Sequence, residues 1–157
     1  TLTVNPAVAR APDGTILMIV KGDKPDTPGF VRSQALALAP TPTGPFEIQP
    51  EPVIDDRDTE DAALWYDPRR RRFYAVFHAH DHIGLITSAD GRRWQRAAHP
   101  VVLRKDTAIA FADGTRWPVD RLERPFVLLD DAGLPSHLLV AVKRGDESAN
   151  LALPLAR

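Results

Sequence analysis

The chain has 157 residues, 43% hydrophobic and 26% charged, a composition suited to one globular domain with a core of its own. Twenty basic residues against twenty-one acidic ones leave a net charge of -1, so bulk charge suggests neither a nucleic-acid partner nor an anionic membrane surface. The absence of cysteine excludes disulfide frameworks, thiol nucleophiles and cysteine-based zinc sites, and no apolar run reaches the ~20 residues that a membrane-spanning helix needs.

Fifteen prolines and nine glycines cut the chain into pieces too short for ordinary helices, which predicts an all-β protein. The first piece, NPAVARAPDGTILMIVKG from Asn5, reads as two strands around an Asp13-Gly14 turn. It is followed by ALALAPTPTGPFEIQPEPVI, Ala35 to Ile54: a strand, a turn with glycine, an aromatic strand and a Pro-Val pair. The plan then restarts. EDAALWYDPRRRRFYAVFHA from Glu60 is a second hairpin around Asp67-Pro68, in which Phe73, Ala75 and Phe77 alternate with Tyr74, Val76 and His78. IGLITSADGRRWQRAAHPVV, Ile83 to Val102, repeats the second unit. After an irregular stretch from Lys105 to Val119, ERPFVLLDDAGLPSHLLVAVK from Glu123 is a third hairpin, and the tail NLALPLAR starts the second unit once more.

Asn5, Asp61 and Arg124 occupy matching positions, 56 and then 63 residues apart. Four-stranded repeats of this size are the mark of β-propeller blades, which need neighbours to bury both faces. The expectation is a partial β-propeller of about two and a half four-stranded antiparallel blades, over residues 1–55, 56–119 and 120–157. A β-sandwich with chance similarity between hairpins is the alternative, and the same order of two distinct hairpin types speaks against it. Propellers close with roughly four to eight blades, so further blades are expected before Thr1, consistent with an opening that has neither an initiator Met nor a signal-peptide core. The chain would associate with those blades or with a second chain.

The segments NPAV…DGT, EDAALWYD…FYAVFH, SADGRRW and RLERPFVLLDDAGLPSHLLVAV together resemble the C-terminal portion of bacterial five-bladed β-propeller glycoside hydrolases, the broad group of arabinanases, family 43 and the invertase-like enzymes. The resemblance spans Val4 to Leu155. It implies a carbohydrate substrate, a secreted or periplasmic location and no required cofactor, with a structural divalent cation in the central channel as an option. It also implies carboxylates on the innermost strands: an Asp base, a tuning Asp and a Glu acid. The blade heads here offer Glu60, Asp61 and Glu123 as catalytic candidates. If these are the last three blades, the base and the tuning Asp lie upstream.

Glycoside hydrolysis needs one protonated and one ionised carboxyl on opposite sides of the scissile bond. Glu60 and Asp61 are adjacent, so on a regular strand they point to opposite faces and only one addresses the substrate. Asn5, Arg124, Trp65, Trp117, His78 and His137 are the substrate-binding candidates. His78, His80 and His82 share one face if HAHDH is extended, and His78, last in its strand, is the metal candidate. Plainer roles compete: Asp61 and Asn5 as inter-blade hydrogen-bonding groups, Glu123 as the ion-pair partner of Arg124, Trp94 as core, and Arg69 to Arg72 as a solvated turn. Two other functions stand beside the enzyme, a non-catalytic carbohydrate-binding or scaffold propeller and a sialidase-like hydrolase.

Overall fold

The computed structural model describes residues 3–24, 26–29 and 31–156, and all their regular structure is β-strand. Three antiparallel sheets follow one another. The first holds β1 (Val4–Arg10), β2 (Ile16–Asp23), β3 (Arg32–Ala39) and β4 (Glu47–Ile54) in that order. The second holds β5 (Thr59–Asp67), β6 (Arg72–Ala79), β7 (His82–Ser88) and β8 (Gln95–Arg104). A two-stranded ribbon, β9 (Ile109–Ala110) with β10 (Arg116–Trp117), leads into a three-stranded sheet of β11 (Arg121–Leu129), β12 (Pro135–Arg144) and β13 (Glu147–Pro154). This is a partial β-propeller of two full blades and one three-stranded blade, close to the two and a half read from the sequence.

Each first hairpin is closed by an aspartate whose side chain replaces a missing backbone partner. Asp13 Oδ1 accepts the Thr15 N–H, Asp67 Oδ1 accepts those of Arg69 and Arg70, and Asp130 Oδ1 accepts those of Ala132 and Leu134. The connection from β7 to β8 is tighter. Asp90 Oδ1 receives the Arg92 and Arg93 N–H groups while Ser88 Oγ receives that of Gly91. Gly91 has φ +73°, and a Cβ there would lie 2.6 Å from Leu17 Cδ2, so only glycine lets this turn of the second blade press against the first. Trp94 packs against the same core and donates its indole N–H to Gly91 O, the packing role expected for it.

The middle blade is buried on both faces because its strands alternate two apolar sets. Phe73, Ala75, Phe77 and Ala79 of β6 join Leu17, Ile19, Leu36 and Leu38 in the core between the first and second blades. Val76, with Tyr74 beside it, joins Ile83, Leu122, Val127, Leu138 and Val140 between the second and third. Side chains as enclosed as Ile19, Leu36 and Ile83 each contribute about 1.5–3 kcal/mol by leaving water, so packing between blades is a main source of the fold's stability.

Candidate functional site

The three innermost strands β1, β5 and β11 each break register near their start. The shifts fall between Val4 and Ala7, Glu60 and Ala63, and Glu123 and Phe126. At each break a non-glycine residue is left-handed: Asn5 at φ 53°, Asp61 at 52° and Arg124 at 53°. Asn and Asp tolerate this conformation better than most residues, whereas arginine has no such local hydrogen-bonding help. The sequence repeat is therefore a repeated β-bulge, a device that re-aims side chains at a strand end.

The bulge corrects the expectation drawn from regular alternation. Glu60 and Asp61 do not part to opposite faces: ligand atoms of Glu60, Asp61 and His78 lie within 4.8 Å of one another. His78 arrives across the ladder, paired with Glu60 in register. The extended row of three histidines does not form either, because β6 and β7 turn back through His80 and Asp81. His80 is exposed, and His82 is buried with Nδ1 2.7 Å from Asp81 Oδ1.

Glu60 is clamped from the neighbouring blade. Lys21 Nζ lies 2.8 Å from Oε2, Arg32 pairs with Oε1, and His78 Nδ1 is 3.6 Å away. Burial works to raise the Glu60 carboxyl, but Lys21 and Arg32 outweigh it and hold it below the ordinary glutamate range. It is a fixed anion rather than a proton donor. Arg32 also forks onto Asp58, with Nη2 2.6 Å from Oδ2 and Nε 2.7 Å from Oδ1, and these bonds hold Asp58 below its usual range too. The Asn5 side chain donates to Asp61 Oδ1. Burial pushes His78 below its ordinary value against the pull of Glu60, Glu123 and Asp61, which leaves a neutral imidazole at neutral pH.

The other candidates lie at varied distances from this cluster. Glu123 faces it closely enough to act on the His78 charge, and its ion-pair partner is Arg121, at 2.9 Å, rather than Arg124. Arg124 is exposed. Trp117 is held by Phe111 edge to face and by the Arg144 guanidinium over its ring at 5.9 Å, beside the second core. Trp65 is buried in that core and stacked on Tyr74, four residues along β5 from Asp61 and so about 13 Å away. His137 pairs with Leu128, near the end of β11 remote from Glu123.

Lys21, Arg32 and Asp58 were missed by sequence reasoning. For Lys21 a signal existed: Val4 pairs with Lys21, Glu60 with His78 and Glu123 with Ala141, so Lys21 holds in the first blade the place of His78 in the second.

No protein-family model matches the chain, and no curated protein matches it. Among solved structures it is similar to a candidate exo-beta-1,3-galactanase of Bifidobacterium bifidum s17, with a TM-score of 0.54 and 16% identity over 99% of this chain and 69% of that one. It is also similar to a structure from the GH130 family of mannoside phosphorylases, described as containing glycoside hydrolases that target beta-1,2 mannosidic linkages in Candida mannan, with a TM-score of 0.55 and 13% identity. A candidate glycosidase of Bacteroides thetaiotaomicron VPI-5482 gives 0.55 and 14%. The chain is covered to 99% in each case and spans about half the length of the last two, 49% and 50%. These likenesses show a shared propeller fold.

Proposed function

We propose that this chain forms part of a carbohydrate-active propeller whose complete ring hydrolyses a glycosidic bond at the blade heads. The observation that carries this reading is the convergence of Glu60, Asp61 and His78 at a bulge repeated in all three innermost strands. The likeness of the whole chain to glycosidase propellers supports it. A larger ring, of five blades in the family 43 manner, is supported by the flanks. Val8 and Ile48 of the first blade and Phe126 and Leu128 of the third are exposed, as apolar faces awaiting further blades would be.

In this reading Asp61 addresses the sugar, since only its Oδ1 is engaged by Asn5 and its neighbour Glu60 is neutralised by two cations. Glu60 and His78 set the field around it, and Glu123 is the second carboxyl of the pair that hydrolysis needs. Asn5, Arg124 and Trp117 line the approach. Glu60, Asp61 and His78 also fit a divalent cation by donor type and spacing, and such an ion would compete with Lys21 for Glu60.

The clamp on Glu60 and the Asn5 to Asp61 bond also favour a second reading, a binding propeller in which these groups only join blades. Reducing-end release from arabino-, galacto- and manno-oligosaccharides by the full-length natural protein separates the two. The enzyme reading expects release from one series and its loss, by about 100-fold or more, in Asp61→Asn. Retained turnover in that variant removes Asp61 from catalysis, and glycan binding without release in the parent supports the binding propeller.

A further inference from the structure

Far from the blade heads, a cavity of about 850 Å³ opens between the second and third blades. Its walls are the Asp67 to Arg72 turn, the start of β8, and the ends of β11, β12 and β13. Along β5 its lining begins at Trp65, about 13 Å from Asp61, and includes none of Glu60, Asp61 and His78, so it is separate from the cluster described above.

Its charge is unbalanced. Four guanidinium groups, Arg69, Arg70, Arg72 and Arg96, line it against two carboxylates, Asp67 and Asp130, in a protein whose net charge is -1. Arg70 is paired to Asp67 at 2.8 Å, and Arg96 is paired to Asp56. Asp67 is fully buried and saturated by Arg70 and two backbone N–H groups. Arg69 and Arg72 have no ion pair or side-chain hydrogen bond among the described residues, and Arg72 is half-buried. A half-buried guanidinium without an acceptor, Arg72, is costly to leave unpaired, and with the exposed Arg69 of the same turn it is suited to an oxyanion.

The remaining lining is amphipathic. Leu85, Leu134 and Leu155 supply apolar surface, the stacked Trp65 and Tyr74 form one wall, and exposed Gln95 and His99 offer hydrogen bonds. The volume lies in the range of small-molecule sites and exceeds what an inorganic anion fills. We propose that this cavity is a second binding site, which takes an acidic saccharide with its carboxylate on Arg72 and Arg69. The saccharide body rests on the carbohydrate reading given under Proposed function, whereas the anion requirement rests on the cavity alone.

Trp65 supplies the reporter. It lines the cavity, and its indole N–H is buried without a hydrogen-bond partner. The test follows the indole N–H resonances of the intact chain by NMR while sodium glucuronate is added, with glucose and sodium sulfate as comparison probes. A saturable shift of the Trp65 signal is expected with glucuronate, with glucose and sulfate at least about tenfold weaker. Arg72→Met should weaken glucuronate by about the same factor. Arg69→Met, at an exposed position, should weaken it too and serves if the Arg72 variant does not fold. Equal binding of glucose overturns the anion requirement, and equal binding of sulfate overturns the saccharide. No shift, or a shift that both variants keep, overturns the site. None of these readouts depends on hydrolysis, so failure here leaves the Asp61 reading standing, and failure of that reading leaves the anion site standing.

Discussion

Asn5 donates its side-chain amide to Asp61 Oδ1, and the two residues hold the same left-handed place in successive blades. One bulge thus recognises the next. Two contributions can be separated at Asn5, because glycine removes the hydrogen bond but suits a φ of 53°, whereas alanine removes the bond and keeps the strain. Asn5→Ala should be less stable than Asn5→Gly by about 1 kcal/mol in urea unfolding. Equal stabilities would mean that the bulge carries no backbone strain.

Arg124 lacks even the local help that Asn and Asp give themselves, and it is exposed. Arg124→Gly should therefore raise stability by about 1 kcal/mol, and Arg124→Val, β-branched at the same φ, should lower it. The order Gly, Arg, Val in thermal midpoint is the expected result.

Glu60 ties the second blade to the first through Lys21 and Arg32, with side-chain exposures of only 19%, 14% and 27%. Glu60→Gln leaves Lys21 without its counter-charge and Arg32 with Asp58 alone, and should cost about 2 kcal/mol. The folded carboxyl titrates below its ordinary 4.5, and Asp58 below 3.8, so their stabilisation is complete above those values and is lost as pH falls through the folded ones. Acid unfolding curves should consequently be shallower in Glu60→Gln than in the parent.

His78 acts in a different pH range. Its folded value lies under 6.5 because of burial, so below pH 6.5 the unfolded chain takes up the proton first. Stability should decline as pH drops from 6.5 toward the folded value, and His78→Gln should flatten that slope. A parent curve with no slope in this window would contradict a buried neutral imidazole.

Gly84 faces Phe77 across the β6–β7 ladder, and a Cβ there would lie 2.2 Å from the ring's Cζ. Gly84→Ala should cost about 2 kcal/mol through overpacking. Adding Phe77→Leu should recover part of that loss, and a double-mutant cycle in chemical denaturation measures the coupling.

The blades were legible because burial on both faces of β6 writes two apolar sets into one strand, with Phe73, Ala75 and Phe77 on one side and Tyr74 and Val76 on the other. The Asp13, Asp67 and Asp130 turns were legible because local hydrogen bonding selects the residue type. The head was not. A bulge changes which way Glu60 and Asp61 point without changing their spacing, and a left-handed arginine carries no local signature. Trp65 misled because proximity in sequence to Asp61 meant about 13 Å along a strand. Arg32 reaches Glu60 from 28 residues away, a contact made by tertiary packing and invisible to any short window.

The double coverage of the second blade also sets an order of disassembly. β6 is walled by a sheet on either face and by β5 and β7 at its edges, whereas in the 157-residue chain by itself Val8 and Ile48 of the first blade and Phe126 and Leu128 of the third are exposed. Amide protons of β6 will exchange with solvent last, proteases will reach the outer blades first, and the middle sheet will be the residual kernel from which the chain folds back.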